Sequence, residues 1–195
     1  MGISLHRIAA YFFDTMIVMI ITTLLTFWIP VTENYKNVVS EANKQIDLFQ
    51  DGEIDYKEFY ENSIKLNYRA DKERIINSIV TIVVTVGYFA TYAYYKGGQT
   101  LGKKLVKIKI VSKNMEDVSH GSMMIRSLLL NGVLTSVLSI VFLLFFSEDH
   151  YYIVYLLTLI HSLFVFISLF MILFRNDKRG LHDFISGTKV ITMEK

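Results

Sequence analysis

The chain has 195 residues, of which 52% are hydrophobic and 14% aromatic, and its mean hydropathy is positive. A soluble domain of this length rarely reaches such values, so the composition predicts a membrane protein, and we expect no nucleic-acid partner. The absence of cysteine excludes disulfide bonds and thiolate metal sites. The net charge of +2 is small, but the charges are distributed unevenly along the chain.

Four long apolar stretches each supply the roughly 20 residues that a helix needs to cross a bilayer. Aromatic residues and Pro30 lie at their ends, as is typical of membrane interfaces. A cleaved signal peptide does not fit the first stretch, which is too long and lacks a small-residue cleavage site. We therefore expect a single all-α membrane domain over residues 1–195 with four transmembrane helices, at about 5–29, 75–95, 123–146 and 151–174.

The charges between the predicted spans indicate the orientation of the chain. Residues 31–74 carry ten acidic and seven basic side chains, whereas residues 96–125 carry six lysines and two acids. The positive-inside rule then places the lysine-rich segment and both termini in the cytoplasm, and residues 31–74 outside. The lysines are expected to contact anionic lipid headgroups.

The first span contains two charges that a membrane helix would ordinarily avoid, Arg7 and Asp14. Seven residues make two helical turns, so both side chains lie on one face. Arg7 is shallow enough to reach the interface, but Asp14 lies about 13 Å further along the helix axis than the helix start. Asp14 can be neutral, face a wet cavity or be paired, with Arg7 as one candidate partner. A purely structural ion pair would also explain it.

Apolar residues at three-to-four spacing predict an extracytoplasmic helical hairpin within residues 31–74, with its turn at Asp51 and Gly52. This turn resembles a calcium-binding EF-hand loop, although Phe49 stands where the loop needs an oxygen ligand. An acidic turn without metal explains the same residues, and we expect no other cofactor. The candidate calcium ligands are Asp47, Asp51, Asp55 and Glu58.

The lysine-rich segment alternates apolar and charged residues from Val106 to Ile110, which is the period-two pattern of a strand. An interfacial segment with its lysines on lipid headgroups would give the same pattern. Residues 188–191 alternate in a similar way and lie on the same side of the membrane, so the two runs could pair. We therefore expect a small cytoplasmic β or amphipathic element.

Other polar residues within the spans are candidates for a relay or an ion pathway. A polar stripe like that of the second span more often serves hydrogen bonding between helices, and a lone membrane histidine like that of the fourth more often serves packing. The candidates are Thr81, Thr85, Arg126, Asn131 and His161.

The tail after the fourth span contains a further charge, Asp183, in the run RGLHDFISGTKVI. Its apolar neighbours Leu181, Phe184 and Ile185 are expected to hold this piece at the membrane surface, on the same side as Arg7. We therefore predict an ion pair between Arg7 and Asp183 on the cytoplasmic side.

These residues resemble the RDD family of bacterial integral membrane proteins, which is defined by an arginine and an aspartate in the first span and another aspartate after the last. Arg7, Asp14 and Asp183 match these positions, and GGQTLGKKLVKIKIV resembles the family segment before the penultimate span. The resemblance implies a multi-pass protein of the bacterial cell membrane. It also implies cation/proton exchange as one proposed activity.

Two functions are consistent with the sequence. An ion- or proton-coupled transporter would use Asp14 as its proton or cation carboxylate, Arg7 as an electrostatic modulator and Asp183 as a gate partner. Four helices enclose little pathway, so such a transporter would be a homo-oligomer. An accessory subunit would instead join a larger membrane complex through the hairpin or the lysine-rich surface. We expect no enzyme, because no histidine pair has ligand spacing and no nucleophile lies near a base.

Overall fold

The structure is a computed structural model that describes residues 2–193. It is mainly helical, with one two-stranded antiparallel sheet. The first half contains α1 (Ile3–Thr26), α2 (Glu33–Gln50), α3 (Tyr56–Glu73), α4 (Ile75–Val86), a π-helical segment (Gly87–Tyr92) and α5 (Ala93–Tyr95). The second half contains α6 (Leu101–Leu105), β1 (Ile108–Ser112), α7 (His120–Leu130), α8 (Val133–Phe145), a 3-10 turn (Glu148–His150), α9 (Tyr152–Phe174), α10 (Leu181–Ile185) and β2 (Thr188–Thr192).

Three continuous helical stretches are long and apolar enough to cross a membrane, and they coincide with the first, second and fourth predicted spans. Their outer surfaces carry large apolar side chains such as Leu24, Val83 and Phe166, each more than half exposed. Such surfaces are stable where the surrounding solvent is lipid. The three stretches are Ile3–Thr26, Ile75–Tyr95 and Glu148–Phe174.

The third predicted span, residues 123–146, is not one helix. α7 ends at Leu130, α8 begins at Val133, and the two helices are bent by 66°. Gly132 at the break has a φ of +70°, a left-handed conformation that glycine adopts at little cost. The prediction of a continuous helix here is wrong, and residues 2–193 contain a fourth span only if the bent pair crosses the membrane together.

The predicted helical hairpin is present as α2 and α3, and it is attached to the ends of the apolar helices. Tyr68 of α3 donates a hydrogen bond to the carbonyl oxygen of Phe146 at 3.0 Å, and its ring packs edge-to-face against Tyr151. Arg69 and Glu41 form an exposed ion pair of 2.6 Å between the two helices. The hairpin is therefore docked on the bundle through aromatic packing as well as joined to it by the chain.

The four candidate calcium ligands do not converge. Asp47 lies in the last turn of α2, and Asp55 caps α3 by accepting the backbone N–H of Glu58 at 2.8 Å. No three His, Asp or Glu side chains within residues 2–193 are close enough to hold a metal ion. The turn is a pair of capped helix ends, so the structure gives no support to calcium at Asp47, Asp51, Asp55 and Glu58.

The sheet pairs β1 with β2 close to the end of the chain, and Ile110 lies opposite Val190. The predicted pairing is present, with β1 beginning two residues after the predicted strand start. The inward side chains of the sheet are buried against Ala10 of α1 and Ala90 of the π-helical segment. α6 precedes β1 and packs against α1, whereas α10 precedes β2 and packs against α7 and α9.

Candidate functional site in a buried charge cluster

The side chain of Asp183 is fully buried and lies between two arginines. Arg7 donates to Asp183 Oδ2 at 2.6 Å, and Arg126 donates to Oδ1. Asp183 also accepts the backbone N–H of Gly180 at 2.8 Å, which caps α10. Burial alone would raise the pKa of this carboxyl, but the charges of Arg126 and Arg7 outweigh burial and hold the pKa well below its usual range. The predicted Arg7–Asp183 ion pair is therefore present, with Arg126 as a second partner.

The neighbouring His182 is a neutral bridge within the same site. Its Nδ1 lies 2.5 Å from Ser168 Oγ, and its Nε2 lies 3.3 Å from the Arg7 guanidinium. Arginine can only donate, so Nε2 accepts and the proton is assigned to Nδ1. Burial, followed by the charge of Arg126, holds the pKa of His182 well below its usual range. The imidazole therefore orients Arg7 without adding charge.

Asp14 is also fully buried, but its partner is not Arg7. Its carboxylate accepts hydrogen bonds from the Tyr88 hydroxyl at 2.7 Å and from the backbone N–H of Gly102 at 2.7 Å. It also accepts from the Thr100 hydroxyl at 2.5 Å, and the Lys103 ammonium pairs with it at 3.3 Å. Three of these four donors come from α6 or its N-cap residue, and α6 packs against α1. The candidate pairing of Arg7 with Asp14 is wrong, because each charge has a nearer partner from elsewhere in the chain.

The close contact between α6 and α1 depends on Gly102. A Cβ at this position would lie 2.4 Å from the carbonyl oxygen of Ala10 and 2.7 Å from Asp14 Oδ1. Thr100 caps α6 by accepting the backbone N–H of Lys103 at 3.4 Å while it donates to Asp14. In this short run, Thr100 caps α6, Gly102 allows the close approach of α6 to α1, and Lys103 supplies the cation that pairs with Asp14.

These ionised groups form a buried charge cluster whose charges do not balance. Three cations face two carboxylates, so the net charge of the cluster is +1 when all are ionised. Burial lowers the pKa of Lys103 to about 8, Asp14 opposes this change and Arg126 adds to it. The charge of Lys103 can therefore change near neutral pH. The charge cluster consists of Arg7, Asp14, Lys103, Arg126 and Asp183.

The polar stripe of the second span is brought only partly to this site. Thr81 is exposed on α4, and its hydroxyl donates to the carbonyl oxygen of Asn77 one turn earlier. Thr85 is buried, but it is not among the hydrogen-bond partners of Asp14 within residues 2–193. Because Thr81 is exposed and its hydroxyl is bonded to the backbone of its own helix, it is better explained as a surface residue than as part of an ion pathway.

Two further candidates lie at the break between α7 and α8. His161 Nε2 is 3.2 Å from the carbonyl oxygen of Leu129, one of the carbonyls left free by the end of α7. Asn131 donates to Ser127 Oγ at 3.4 Å, while its Oδ1 is buried without a partner among residues 2–193. His161 therefore supports the bend and lies outside the charge cluster. Of the candidate pathway residues, only Arg126 belongs to the cluster itself.

Sequence reasoning missed Thr100, Gly102 and Lys103 as site residues. The threonine three residues before Lys103 is a helix N-cap signal, and it could have identified α6. No local signal distinguishes the buried Lys103 from the exposed Lys104 beside it.

A model of the RDD family matches residues 4–187, which is nearly the whole chain. Neither a curated protein nor a solved structure matches it. The matched range includes the apolar helices and every member of the charge cluster. On this match over nearly its full length, the chain belongs to the RDD family and is a membrane protein of that family.

Proposed function

We propose that this RDD-family protein is a proton-coupled ion transporter of the cation/proton exchange type in a bacterial cell membrane. The observation that carries the proposal is the buried Asp14–Lys103 pair beside a cavity. Removing an ion pair from water costs several kcal/mol per ion even after the protein relaxes, and ionisable groups inside membrane proteins commonly belong to ion and proton routes. The proposal is for a non-enzymatic role.

In the proposed transporter, the proton is exchanged at the Asp14–Lys103 pair. Because burial lowers the pKa of Lys103 to about 8, the ammonium can release its proton near neutral pH. The charge cluster would then change from +1 to neutral. Asp14 keeps the Lys103 side chain in place, while Arg7 and Arg126 disfavour its charged form. Once Lys103 is neutral, the Asp14 carboxylate would be free to bind the exchanged cation in place of the ammonium, and this competition is the coupling that exchange requires.

Asp183 is the gate partner in this proposal, as the sequence led us to expect. It links α10 to Arg7 of α1 and to Arg126 of α7, so breaking these contacts would release the tail from the bundle. We further propose that both termini and the lysine-rich segment are cytoplasmic, with exposed Lys104 and Lys107 on anionic lipid headgroups. The transporting unit would be a homo-oligomer.

The test is proton movement in phosphatidylcholine liposomes that contain the purified protein and a pH-sensitive dye. We expect an imposed Na⁺ or K⁺ gradient to change the internal pH. We expect Asp14→Asn and Lys103→Met each to reduce the initial rate by at least about tenfold, because proton transfer needs the positioned pair. Lys104→Met is the matched control, since Lys104 is exposed on the same helix and should keep the parent rate.

The same assay over pH 7 to 9 examines the assigned proton site. The parent rate should change across this range, because the pKa of Lys103 at about 8 lies within it. The proposal fails if no cation gradient moves protons with the parent protein. It also fails if Asp14→Asn and Lys103→Met both retain the parent rate.

A second candidate function is that of an accessory subunit in a larger membrane complex. The observation in its favour is the fixed attachment of the α2–α3 hairpin. Asn67 donates to the Tyr155 hydroxyl at 2.6 Å, and Tyr68 packs on Tyr151. A hairpin held in one orientation at its base presents a pre-organised surface, which lowers the entropic cost of docking a partner.

A further inference from the structure

The cavity beside the charge cluster has a positive end and an apolar end. Its volume is about 190 Å³. Arg7, Lys103 and Arg126 all line it, whereas the carboxylates that pair with them do not. The apolar walls come from α1, α9 and β1, and include Ile8, Val165, Leu169 and Ile108. A site with this lining favours a ligand that has an anionic group and an apolar body.

The cations retain hydrogen-bond donors that a ligand could use. Arg126 is only 7% exposed and forms its hydrogen bonds through Nη1, so Nε and Nη2 have no partner in the described part of the chain. Lys103 donates to Asp14 and Thr100, which leaves one of its three N–H groups. An oxyanion in the cavity would accept charge-assisted hydrogen bonds from several of these N–H groups.

The net charge of the cluster points to the same ligand class. Three cations and two carboxylates leave one positive charge in a largely apolar bundle. One monovalent anion in the cavity would neutralise this charge. A cation in the cavity would instead add to it, at a position where the nearest charged groups are Arg7, Lys103 and Arg126.

Some of the side chains that line the cavity are also exposed on the outer surface of the bundle. Ile8 and Tyr11 of α1 and Leu169 of α9 line the cavity, and they are 38%, 37% and 38% exposed. Both helices are long and apolar enough to cross a membrane, so in a bilayer the gap between these residues would face acyl chains. A ligand that enters here comes from the bilayer and keeps its chain in an apolar environment.

We propose that the cavity binds an anionic amphiphile from the membrane, with a carboxylate or phosphate head and an acyl chain. The head contacts Arg126 and Lys103 at the positive end, and the chain leaves between α1 and α9 past Ile8 and Leu169. This binding needs no proton movement, so it stands or falls independently of the transport proposal.

The experiment is photo-crosslinking of the full chain in phosphatidylcholine nanodiscs with a diazirine analogue of palmitate. We expect saturable labelling of α1 and α9 peptides, competed by palmitate and by dodecyl phosphate. The diazirine analogue of hexadecanol, which has the same chain without the charge, should label these peptides about tenfold less, as expected for the loss of a buried charge-assisted contact. Inorganic phosphate and acetate should not compete.

Two variants on α9 separate the cavity from the general lipid surface. Val165→Trp fills the cavity and should reduce labelling by about tenfold. Leu163→Trp is the matched control, because Leu163 is 52% exposed and is not among the residues lining the cavity, and it should label like the parent. Equal labelling by the alcohol analogue would overturn the proposal. So would competition by inorganic phosphate at the concentration at which dodecyl phosphate competes, or equal labelling of both variants.

Discussion

At the scale of single residues, the charges divide into those that topology predicts and those that only packing reveals. Arg7 and Asp183 were expected to pair because both lie on the same side of the predicted topology, and they do. The partner of Asp14 was not predictable, since Lys103 stands in a lysine-rich run beside the exposed Lys104. Lys103 is a site residue only because α6 packs on α1, and no local sequence pattern predicts that packing.

Asp183→Asn should strongly destabilise the protein at neutral pH, because it leaves Arg7 and Arg126 buried without their carboxylate. Removing one partner of a buried ion pair costs about 3–5 kcal/mol. The measurement is thermal unfolding in a neutral detergent, followed by intrinsic fluorescence. Asp177→Asn is the control, since the Arg175–Asp177 pair is exposed and its loss should leave the unfolding midpoint unchanged.

The parent protein and Asp183→Asn should also differ in how their stability depends on pH. The pKa of Asp183 lies well below its usual range in the folded protein. The stabilisation that ionised Asp183 contributes is therefore complete above the unfolded-state pKa of about 3.9. It is lost as the pH falls towards the pKa of Asp183 in the folded protein. The parent should lose stability on acidification below about pH 4, and Asp183→Asn should lose less. An equal loss in both proteins would contradict the assignment of this charge.

At the scale of elements, the sequence predicted the long helices and the strand pairing, but not the breaks and the short helix. The hydropathy of residues 123–146 masks the turn at Asn131 and Gly132, although this dipeptide is a known turn signal. α6 was not predicted because five residues are too few for a periodic pattern. Elements this short take their conformation from caps and tertiary contacts, so composition is a poor guide to them.

Gly102→Ala should displace α6 from α1 and separate Lys103 from Asp14, because the added methyl group would meet backbone and carboxylate atoms. Overpacking of this kind costs about 1–3 kcal/mol. Acetylation of Lys103 relative to Lys104, measured by mass spectrometry, should rise as Lys103 becomes accessible. Gly121→Ala is the control, since the new Cβ would lie 4.0 Å from its nearest neighbour, Ser119 Oγ. Unchanged protection of Lys103 in Gly102→Ala would contradict this account.

At the scale of the whole molecule, the chain consists of a charge-bearing bundle and an attached hairpin. The bundle is closed by contacts between distant parts of the sequence, since Arg7 and Asp183 join its first and last helices. The hairpin begins and ends at neighbouring points, because Thr32 donates to Glu73 at 2.6 Å. The residues that form the charge cluster lie outside residues 31–74, so the two proposed functions reside in separable parts.

Replacing residues 33–73 with a short Gly-Ser linker should therefore preserve the bundle, because the linker needs to span only the small gap between Thr32 and Arg74. Palmitate-analogue labelling and cation-driven proton movement should stay within about twofold of the parent, as expected for distant and independent sites. If an accessory role depends on the hairpin, proteins that co-purify with the parent should not co-purify with the linker variant. Retention of such partners would contradict docking through the hairpin. Loss of labelling and proton movement in a monodisperse variant would instead make the hairpin part of the cavity-bearing unit.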